Sequence, residues 1–286
     1  MKFDFVRKQT CYEGCTSGFE EAEIVLTGAG YDGSASYRPG AGEAPHAIRK
    51  DTLLSQENYS PYFEIDLTEK AVHDMGDIEI VPDNKTLTLK RIHELAHHLF
   101  SQGKRICLIG GEHLVSLPAI EAATEVYPEL RIVQLDAHLD LMDELFGETL
   151  SHGTVMRRVY DIFRESGRIY QVGIRSGSRQ EYRFAHKQTC LYPFGVEKFI
   201  KDTHKLADFP IYLTLDVDVF DPALLPGTGT PEAGGIFFPE YLEFLKAMQG
   251  LNIIGCDLVE LAPPLDPGGT STIVAAKVLR ELLIAL

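Results

Sequence analysis

Short apolar segments alternate along the chain with longer segments in which apolar positions recur at helical spacing. Most of the short segments are continuously apolar, which indicates strands that are buried on both faces. Strands are predicted at 23–29, 77–82, 105–111, 131–138, 168–175, 190–194, 211–218 and 252–260. Helices are predicted at 43–55, 86–101, 115–127, 152–165, 179–187, 196–206, 238–249 and 270–285. The alternation predicts the α/β class: a single three-layer α/β/α domain over residues 1–286, with a mainly parallel central sheet.

Four of the predicted strands run into polar sequences that can carry chemistry. The strand at 105–111 leads into GGEH, and the strand at 131–138 contains LDAHLD at its end. Two later strands end in LDVD and in DLVE. Because parallel strands present their carboxyl ends at one edge of the sheet, where ligands bind, we expect these sequences to meet in one crevice.

The polar residues at these strand ends are ligand types that hard divalent metal ions prefer. In DAHLD and in LDVD they are spaced two residues apart, so extended backbone projects them to one side. Four converging carboxylates would repel one another unless cations lie between them. Carboxylate and imidazole ligands without a thiol favour Mn²⁺ or a similar ion, and this number of ligands suits two ions. The candidate ligands are His113, Asp136, His138, Asp140, Asp216 and Asp218.

A more familiar motif, HELAHH at 93–98, spells the H-E-x-x-H signature of zinc metalloproteases. Placed on a helix, residues 89–100 gather their apolar side chains on one side, and His93 and His97 lie at its edge. The positions that would extend the signature hold Phe100 and Gly103, and a buried strand follows. We therefore expect a helix that covers the sheet, with His93 and His97 partly exposed and binding no active-site ion.

The segment GAGYDG at 28–33 matches the G-x-G-x-x-G fingerprint of dinucleotide sites. That fingerprint has to open a helix, so that the pyrophosphate lies on the helix N-terminus. Pro39, Gly40 and Gly42 follow instead and prevent a helix there. We interpret the segment as a glycine-rich loop at the end of a strand.

Composition and charge narrow the possible function classes. The chain has 27 basic and 42 acidic residues, a formal net charge of −15. Such a protein is a poor partner for nucleic acid or anionic membrane, whereas a cationic substrate suits it. Five cysteines, an odd and low number, favour a reducing compartment. Because the chain also shows no secretory apolar segment and no run of about 20 apolar residues, we expect a cytoplasmic protein.

Together these motifs resemble the ureohydrolase family of arginases, agmatinases and their relatives, and they are most similar to bacterial agmatinases. The motifs are DAHLD, GGEH, SHGT, LDVDVFDPALLPGTGTPEAGG and DLVELAPPLD. The resemblance begins at SYRPGAGEAPHAIR (36–49), continues through DMGDIEI (74–80) and reaches the last strand. It implies an arginase-like fold, hydrolysis of a guanidino C–N bond, two Mn²⁺ per subunit and a homo-oligomer, either a trimer or a hexamer.

The resemblance also implies roles for individual residues. It divides the metal ligands into His113 with Asp140, His138 with Asp218, and two bridges, Asp136 and Asp216. Glu260, in DLVE, would pair with the planar guanidinium through its two oxygens. His152, in SHGT, would deliver a proton relayed through Asp140 to the leaving amine. Thr230, in PGTGTPEAGG, would contact the substrate.

In the family, hydroxide that bridges the metals attacks the guanidino carbon of the substrate. The family's members differ in which guanidino compound they hydrolyse. Arginases carry an Asn- and Ser-bearing loop for amino-acid groups, but here LMDELFGETLSHG lacks Asn and adds Asp143, Glu144 and Glu148. An acidic loop favours a dication, so agmatine is the predicted substrate, with putrescine and urea as products. Leu139 and Met142 depart from relatives near the entrance. The alternatives are a guanidinobutyrase, an arginase, a formiminoglutamase or a catalytically inactive metal-binding homologue.

Overall fold

The structure is a computed structural model, and it describes residues 3–286. Its strands are β1 (Val6–Arg7), β2 (Ile24–Ala29), β3 (Tyr59–Ser60), β4 (Ile65–Asp66), β5 (Val72–Ile78), β6 (Arg105–Gly110), β7 (Arg131–Leu135), β8 (Ile169–Ile174), β9 (Cys190–Pro193), β10 (Ile211–Asp216) and β11 (Ile253–Val259). Its α-helices are α1 (Ala44–Ser55), α2 (Lys85–Ser101), α3 (Ser116–Val126), α4 (Val155–Phe163), α5 (Arg179–Gln188), α6 (Glu197–Asp202), α7 (Phe238–Met248) and α8 (Thr270–Ala285). In this range no helix has the length and apolar character needed to cross a bilayer.

Nine strands form one sheet in the order β1-β5-β2-β6-β11-β10-β7-β8-β9. Every neighbouring pair is parallel except β1 with β5, while β3 and β4 form a separate antiparallel pair. Parallel neighbours need crossover connections, which the helices supply. One apolar cluster includes residues of α1, α7 and α8, and a second includes residues of α2, α3 and α4. The predicted three layers around a mainly parallel sheet are therefore confirmed.

The predicted helices and seven of the eight predicted strands lie within a few residues of the observed elements, but the strand predicted at 77–82 was misplaced. Strand β5 runs from Val72 to Ile78, and its side chains alternate between buried and half-buried positions. The polar residues His73, Asp74 and Asp77 interrupt the apolar pattern of this strand. The continuous apolar pattern of central strands therefore fails to identify a strand near the edge of the sheet.

A buried ion pair joins this outer part of the sheet to a helix. Arg49, on α1, donates to both oxygens of Asp74 at 2.7 and 2.9 Å and also pairs with Asp77. Asp74 in addition accepts a hydrogen bond from the backbone N–H of Tyr12 at 2.8 Å. The side chains of Arg49 and Asp74 are each 1% exposed. Removal of Arg49 would therefore leave the charge of Asp74 buried without a counter-ion.

The substitution Arg49→Leu is expected to lower the free energy of unfolding by about 3–5 kcal/mol, because Asp74 would stay buried without its cation. Arg7→Leu is the matched control, since Arg7 pairs with Glu79 through side chains that are 52% and 42% exposed. For the control we expect a loss below about 1 kcal/mol. Guanidinium chloride unfolding followed by circular dichroism measures both values. Equal losses in the two variants would contradict the structural role given to Arg49.

Candidate metal centre

The candidate site lies at the carboxyl ends of the four strands in the middle of the sheet. These strands are neighbours in the order β6-β11-β10-β7. His113 follows β6 after two residues, Asp136 directly follows β7, Asp216 ends β10 and Glu260 directly follows β11. The predicted crevice is therefore present, and it is formed by residues that are far apart in the chain.

Two groups of side chains place their ligand atoms close enough to hold a metal ion. The groups are His113, Asp136 and Asp140, and then Asp136, His138 and Asp218. Because Asp136 belongs to both, two ions could share its carboxylate. The sixth predicted ligand also joins the cluster, since an Asp216 oxygen lies 3.4 Å from His113 Nδ1. The structure thus brings all six predicted ligands together.

Backbone groups hold the carboxylates of the cluster in place. The N–H of His138 donates to Asp136 at 2.5 Å, the N–H of Ala137 donates to Asp218 at 3.0 Å, and the N–H of Asp218 donates to Asp216 at 2.9 Å. Asp140 has a φ of 52°, in the left-handed region that residues other than glycine seldom adopt. Backbone conformations of this kind concentrate at functional sites, where the surrounding structure maintains them.

The electrostatics of the cluster call for a cation. Burial raises the pKa of Asp136 to about 7, and repulsion from Asp218 and Asp140 adds to the effect. Burial and the nearby Asp218 also raise the pKa of Asp216. Burial lowers the pKa of His138, but attraction to Asp218 outweighs it and raises the value to about 11. Carboxylates that resist ionisation in this way can ionise together once divalent cations lie among them.

His113 is held in the tautomer that a metal ligand requires. The hydroxyl of Thr214 donates to Asp257 at 2.6 Å, so its oxygen accepts from the Nε2–H of His113 at 2.9 Å. In the neutral ring, the form that binds a metal, the lone pair then resides on His113 Nδ1, which is buried and faces the carboxylates of the cluster. Asp140 Oδ2 lies 2.9 Å from this nitrogen. A metal-binding His is typically oriented through its second nitrogen in this manner, so the residues fit a metal ion.

Sequence reasoning missed the polar residues that support the ligands from behind. Gln134 Nε2 donates to Asp136 at 2.7 Å, and Gln171 Nε2 donates to Gln134 at 2.7 Å. Both glutamines are buried, as are Thr214 and Asp257. The sequence does contain a signal for these supporting residues, since each is a polar residue inside an otherwise apolar strand. Burial of such a residue costs free energy unless it has a hydrogen-bond partner.

A cavity of about 300 Å³ opens onto the ligand cluster. All three residues predicted to act on the substrate line it: Glu260, His152 and Thr230. Leu139 and Met142 line it as well, so the two departures from relatives do lie where the substrate would bind. The cavity can therefore hold a small molecule in contact with the candidate ligands.

Glu260 and His152 are both held by hydrogen bonds. Glu260 accepts a bond from the backbone N–H of His113 at 2.7 Å, and its own φ of 65° turns it away from the strand direction. Burial and then the nearby Glu112 raise the pKa of Glu260. His152 Nε2 lies 3.0 Å from Ser36 Oγ, and burial lowers the pKa of its imidazole.

Neither familiar sequence motif takes part in this site. His93 and His97 lie on α2 with Nε2 atoms 3.1 and 3.4 Å from oxygens of Glu125, and their side chains are 27% and 45% exposed. The prediction that both are partly exposed is confirmed. Within residues 3–286 the glycine-rich segment after β2 leads to no helix longer than one turn before Ala44, as expected for a loop.

The acidic residues of the loop at 141–153 were expected to contact the substrate, but they do not line the cavity. Asp143 pairs with Arg158 at 2.9 Å, and Glu148 pairs with Lys85 at 3.0 Å. Neither acidic residue lines the cavity; Glu181 does. Recognition of a cationic substrate therefore has to rest on the cavity wall rather than on this loop.

Comparison with known proteins identifies the family. The sequence profile of the arginase family matches residues 22–285. The chain belongs to the arginase family. An agmatinase of Bacillus anthracis is 40% identical to it over 99% of both chains, and a guanidinobutyrase of Pseudomonas aeruginosa is 30% identical over 92% of this chain and 86% of that one.

A solved structure extends the comparison to three dimensions. The agmatine ureohydrolase of Thermoplasma volcanium superimposes on this arginase-family protein with a TM-score of 0.86 and 29% sequence identity, covering 98% of this chain and 94% of that chain. The expected arginase-like fold is confirmed. The family and its agmatinase members also establish the reaction class: this arginase-family protein is an amidinohydrolase that acts on guanidino C–N bonds.

Substitution of His138 should separate the metal centre from the surface histidines of this arginase-family protein. His138→Ala is expected to lower the amount of bound divalent metal and to reduce urea release roughly 100-fold or more, since loss of even an outer-shell partner costs about 10–100-fold. His93→Ala should leave both unchanged, because His93 contacts Glu125 on the protein surface. Metal analysis after gel filtration and a urea assay provide the measurements. The reverse result would refute the assignment.

Proposed function

We propose that this protein is a manganese-dependent agmatinase, one ureohydrolase domain over residues 1–286 that hydrolyses agmatine to putrescine and urea. Two observations together carry the proposal. Two groups of candidate ligands share Asp136, and the adjoining cavity is lined by Glu260 and Glu181 but by no Lys or Arg of residues 3–286. The 40% identity to an agmatinase supports the choice of substrate.

The six candidate ligands are suited to two manganese ions. Their division is His113 with Asp140 for one ion, His138 with Asp218 for the other, and Asp136 with Asp216 between them. Carboxylate oxygens and imidazole nitrogens without a thiolate are a donor set that Mn²⁺ accepts. When bound, the two ions supply Lewis acidity and lower the pKa of water, so that hydroxide is available near neutral pH.

Glu260 orients the substrate. Its carboxylate is planar and can accept two parallel hydrogen bonds from a guanidinium group. One of its oxygens is already fixed by the N–H of His113, at 2.7 Å, so the carboxylate cannot turn freely. A guanidinium bound there would keep its carbon at a constant position above the carboxylate cluster, which lowers the entropic part of the barrier.

His152 supplies the proton that the leaving amine needs. Cleavage of the C–N bond transfers an electron pair to the amine nitrogen, and protonation at that nitrogen makes departure possible. Burial lowers the pKa of His152, which makes its protonated form a stronger acid. Asp140, which would relay the proton to the imidazole, lines the same cavity as His152.

The cavity wall favours a substrate with a cationic tail. Glu181 is buried there and accepts hydrogen bonds from the backbone N–H groups of Ser178 at 2.8 Å and Leu141 at 3.2 Å, which hold its carboxyl group in place. The ammonium group of agmatine would meet favourable charge, whereas the carboxylate of arginine or guanidinobutyrate would meet repulsion. The similarity to a guanidinobutyrase makes other guanidino compounds the second candidate class.

The remaining proposals concern the oligomeric state, the compartment and the partners of the enzyme. We propose a homo-oligomer, a trimer or a hexamer, that works in the cytoplasm without a nucleic-acid or membrane partner. The net charge of −15 supports the last point, because polyanions and anionic lipids repel such a surface.

A panel of guanidino substrates tests the choice of agmatine. With Mn²⁺ present, kcat/KM for agmatine is expected to exceed that for arginine and for guanidinobutyrate by about 100-fold, the effect of roughly 3 kcal/mol of unfavourable carboxylate contact. A colorimetric assay of urea measures each rate, and N-formiminoglutamate, followed by formamide release, completes the panel. Equal rates for agmatine and either carboxylate-bearing substrate would refute the specificity, and no hydrolysis of any would favour an inactive homologue.

Neutralisation of the orienting carboxylate gives a second test. Glu260→Gln is expected to reduce kcat/KM for agmatine about 100-fold, because removal of one partner of a desolvated charge pair costs about 2–5 kcal/mol. Glu125→Gln is the matched control, since Glu125 is a surface residue on α3. Steady-state kinetics at saturating Mn²⁺ measure both. A Glu260→Gln enzyme with undiminished kcat/KM would show that the guanidinium binds elsewhere.

A further inference from the structure

One short segment contacts His152 at two points. Ser36 Oγ lies 3.0 Å from His152 Nε2, so the hydroxyl contacts the ring. Ser34 Oγ accepts a hydrogen bond from the backbone N–H of His152 at 3.2 Å. The two serines are separated by one residue, and they lie 116 and 118 positions from His152 in the chain. The contacts therefore depend on how the segment 34–36 is itself held.

A buried carboxylate anchors the segment to the metal centre. Ser34 donates its backbone N–H to Glu112 Oε2 at 2.6 Å and its hydroxyl to Glu112 Oε1 at 2.5 Å. Glu112 is fully buried and directly precedes the candidate ligand His113. Because both oxygens of the Glu112 side chain are engaged, Ser34 cannot shift without breaking two hydrogen bonds to a buried group at once.

Arg38, two residues after Ser36, anchors the chain on the other side of the segment 34–36. Arg38 donates to the backbone oxygen of Gly229 at 2.9 Å and to that of Thr228 at 2.7 Å. These carbonyls belong to the loop that carries Thr230, a residue lining the cavity. The segment that contains Ser36 is thus fixed between two walls of the site.

Among the described residues, Ser36 is the one hydrogen-bond partner of the His152 ring. Its Nδ1 is buried without a hydrogen-bond partner among the described residues. Ser36 is then the group that restrains rotation of the imidazole. A general acid has to lie within about 2.6–3.2 Å of the atom that it protonates, and a displacement of about 1 Å can cost 100-fold in rate.

We propose that Ser36 is a positioning residue for His152: its hydroxyl holds the imidazole toward the leaving amine, while Ser34, fixed by Glu112, holds the backbone of the same histidine. The inference rests on the proposed function, because it takes His152 as the proton donor. Ser36 also lines the cavity, so the competing explanation is that its hydroxyl contacts the substrate directly.

A double-mutant cycle separates these explanations. In the manganese-loaded enzyme, with agmatine as substrate, Ser36→Ala is expected to lower kcat about tenfold with KM changed less than about twofold. Ser36→Thr should keep most of the activity, because it retains the hydroxyl. Ser166→Ala, on an exposed turn, is the matched control and should behave as the unaltered protein. In a His152→Ala background, where activity is already roughly 100-fold lower, Ser36→Ala should have no further effect.

Each result bears on a different claim. Equal losses from Ser36→Ala in both backgrounds, or a rise in KM with kcat unchanged, would overturn the inference, because Ser36 would then act independently of His152. An impaired His152→Ala enzyme together with a fully active Ser36→Ala enzyme would overturn the inference alone. A fully active His152→Ala enzyme would remove the role proposed for His152 and the inference with it. Thermal unfolding by circular dichroism verifies that each variant is folded.

Discussion

The mutual repulsion of buried carboxylates at the ends of the neighbouring strands β7 and β10 is the constraint on which the rest of this structure depends. Asp136, Asp140, Asp216 and Asp218 are buried together, where unpaired negative charge is costly. Two imidazoles and several backbone N–H groups compensate part of that charge, and those backbone groups are available because the strands end there. The negative charge that is not compensated favours bound cations, and the reaction of the arginase family can use such cations.

Strands β7, β10 and β11, which end at the site, and the neighbouring strand β8 also contain the residues that make it rigid. Thr214, Asp257, Gln134 and Gln171 are polar residues in the middle of a core, and each forms a hydrogen bond to a ligand or to another of the four. Buried networks of this kind favour one arrangement, because an alternative would leave more buried atoms without a partner than the present one, in which Asp257 Oδ2 has none among the described residues. The same sheet that buries the apolar residues therefore also orients the candidate ligands.

The groups that we propose to select the substrate and to transfer the proton lie at a strand end, on loops and on α5, next to the sheet. Among the described residues, the cavity lining contains Glu260 and Glu181 and no Lys or Arg, so its charge comes from acidic residues that line the same cavity as the candidate ligands. Glu112, next to one ligand, anchors the segment that contacts His152. A single strand end thus connects the metal centre with the group that we propose to protonate the leaving amine, and the two cannot move independently.

The sequence by itself determined the fold class, most of the elements and the six candidate ligands, because continuous apolar runs have to be buried on both faces and polar residues at their ends have to meet at one edge. It also sufficed to reject HELAHH as a zinc site, because its histidines lie at the edge of the helix face that packs on the sheet. Only the tertiary structure decided the position of β5, the pairing of Asp143 with Arg158, and the contacts of Thr214 and Ser36 with the two histidines. Each of these depends on residues that are distant in the chain, so no local pattern records them.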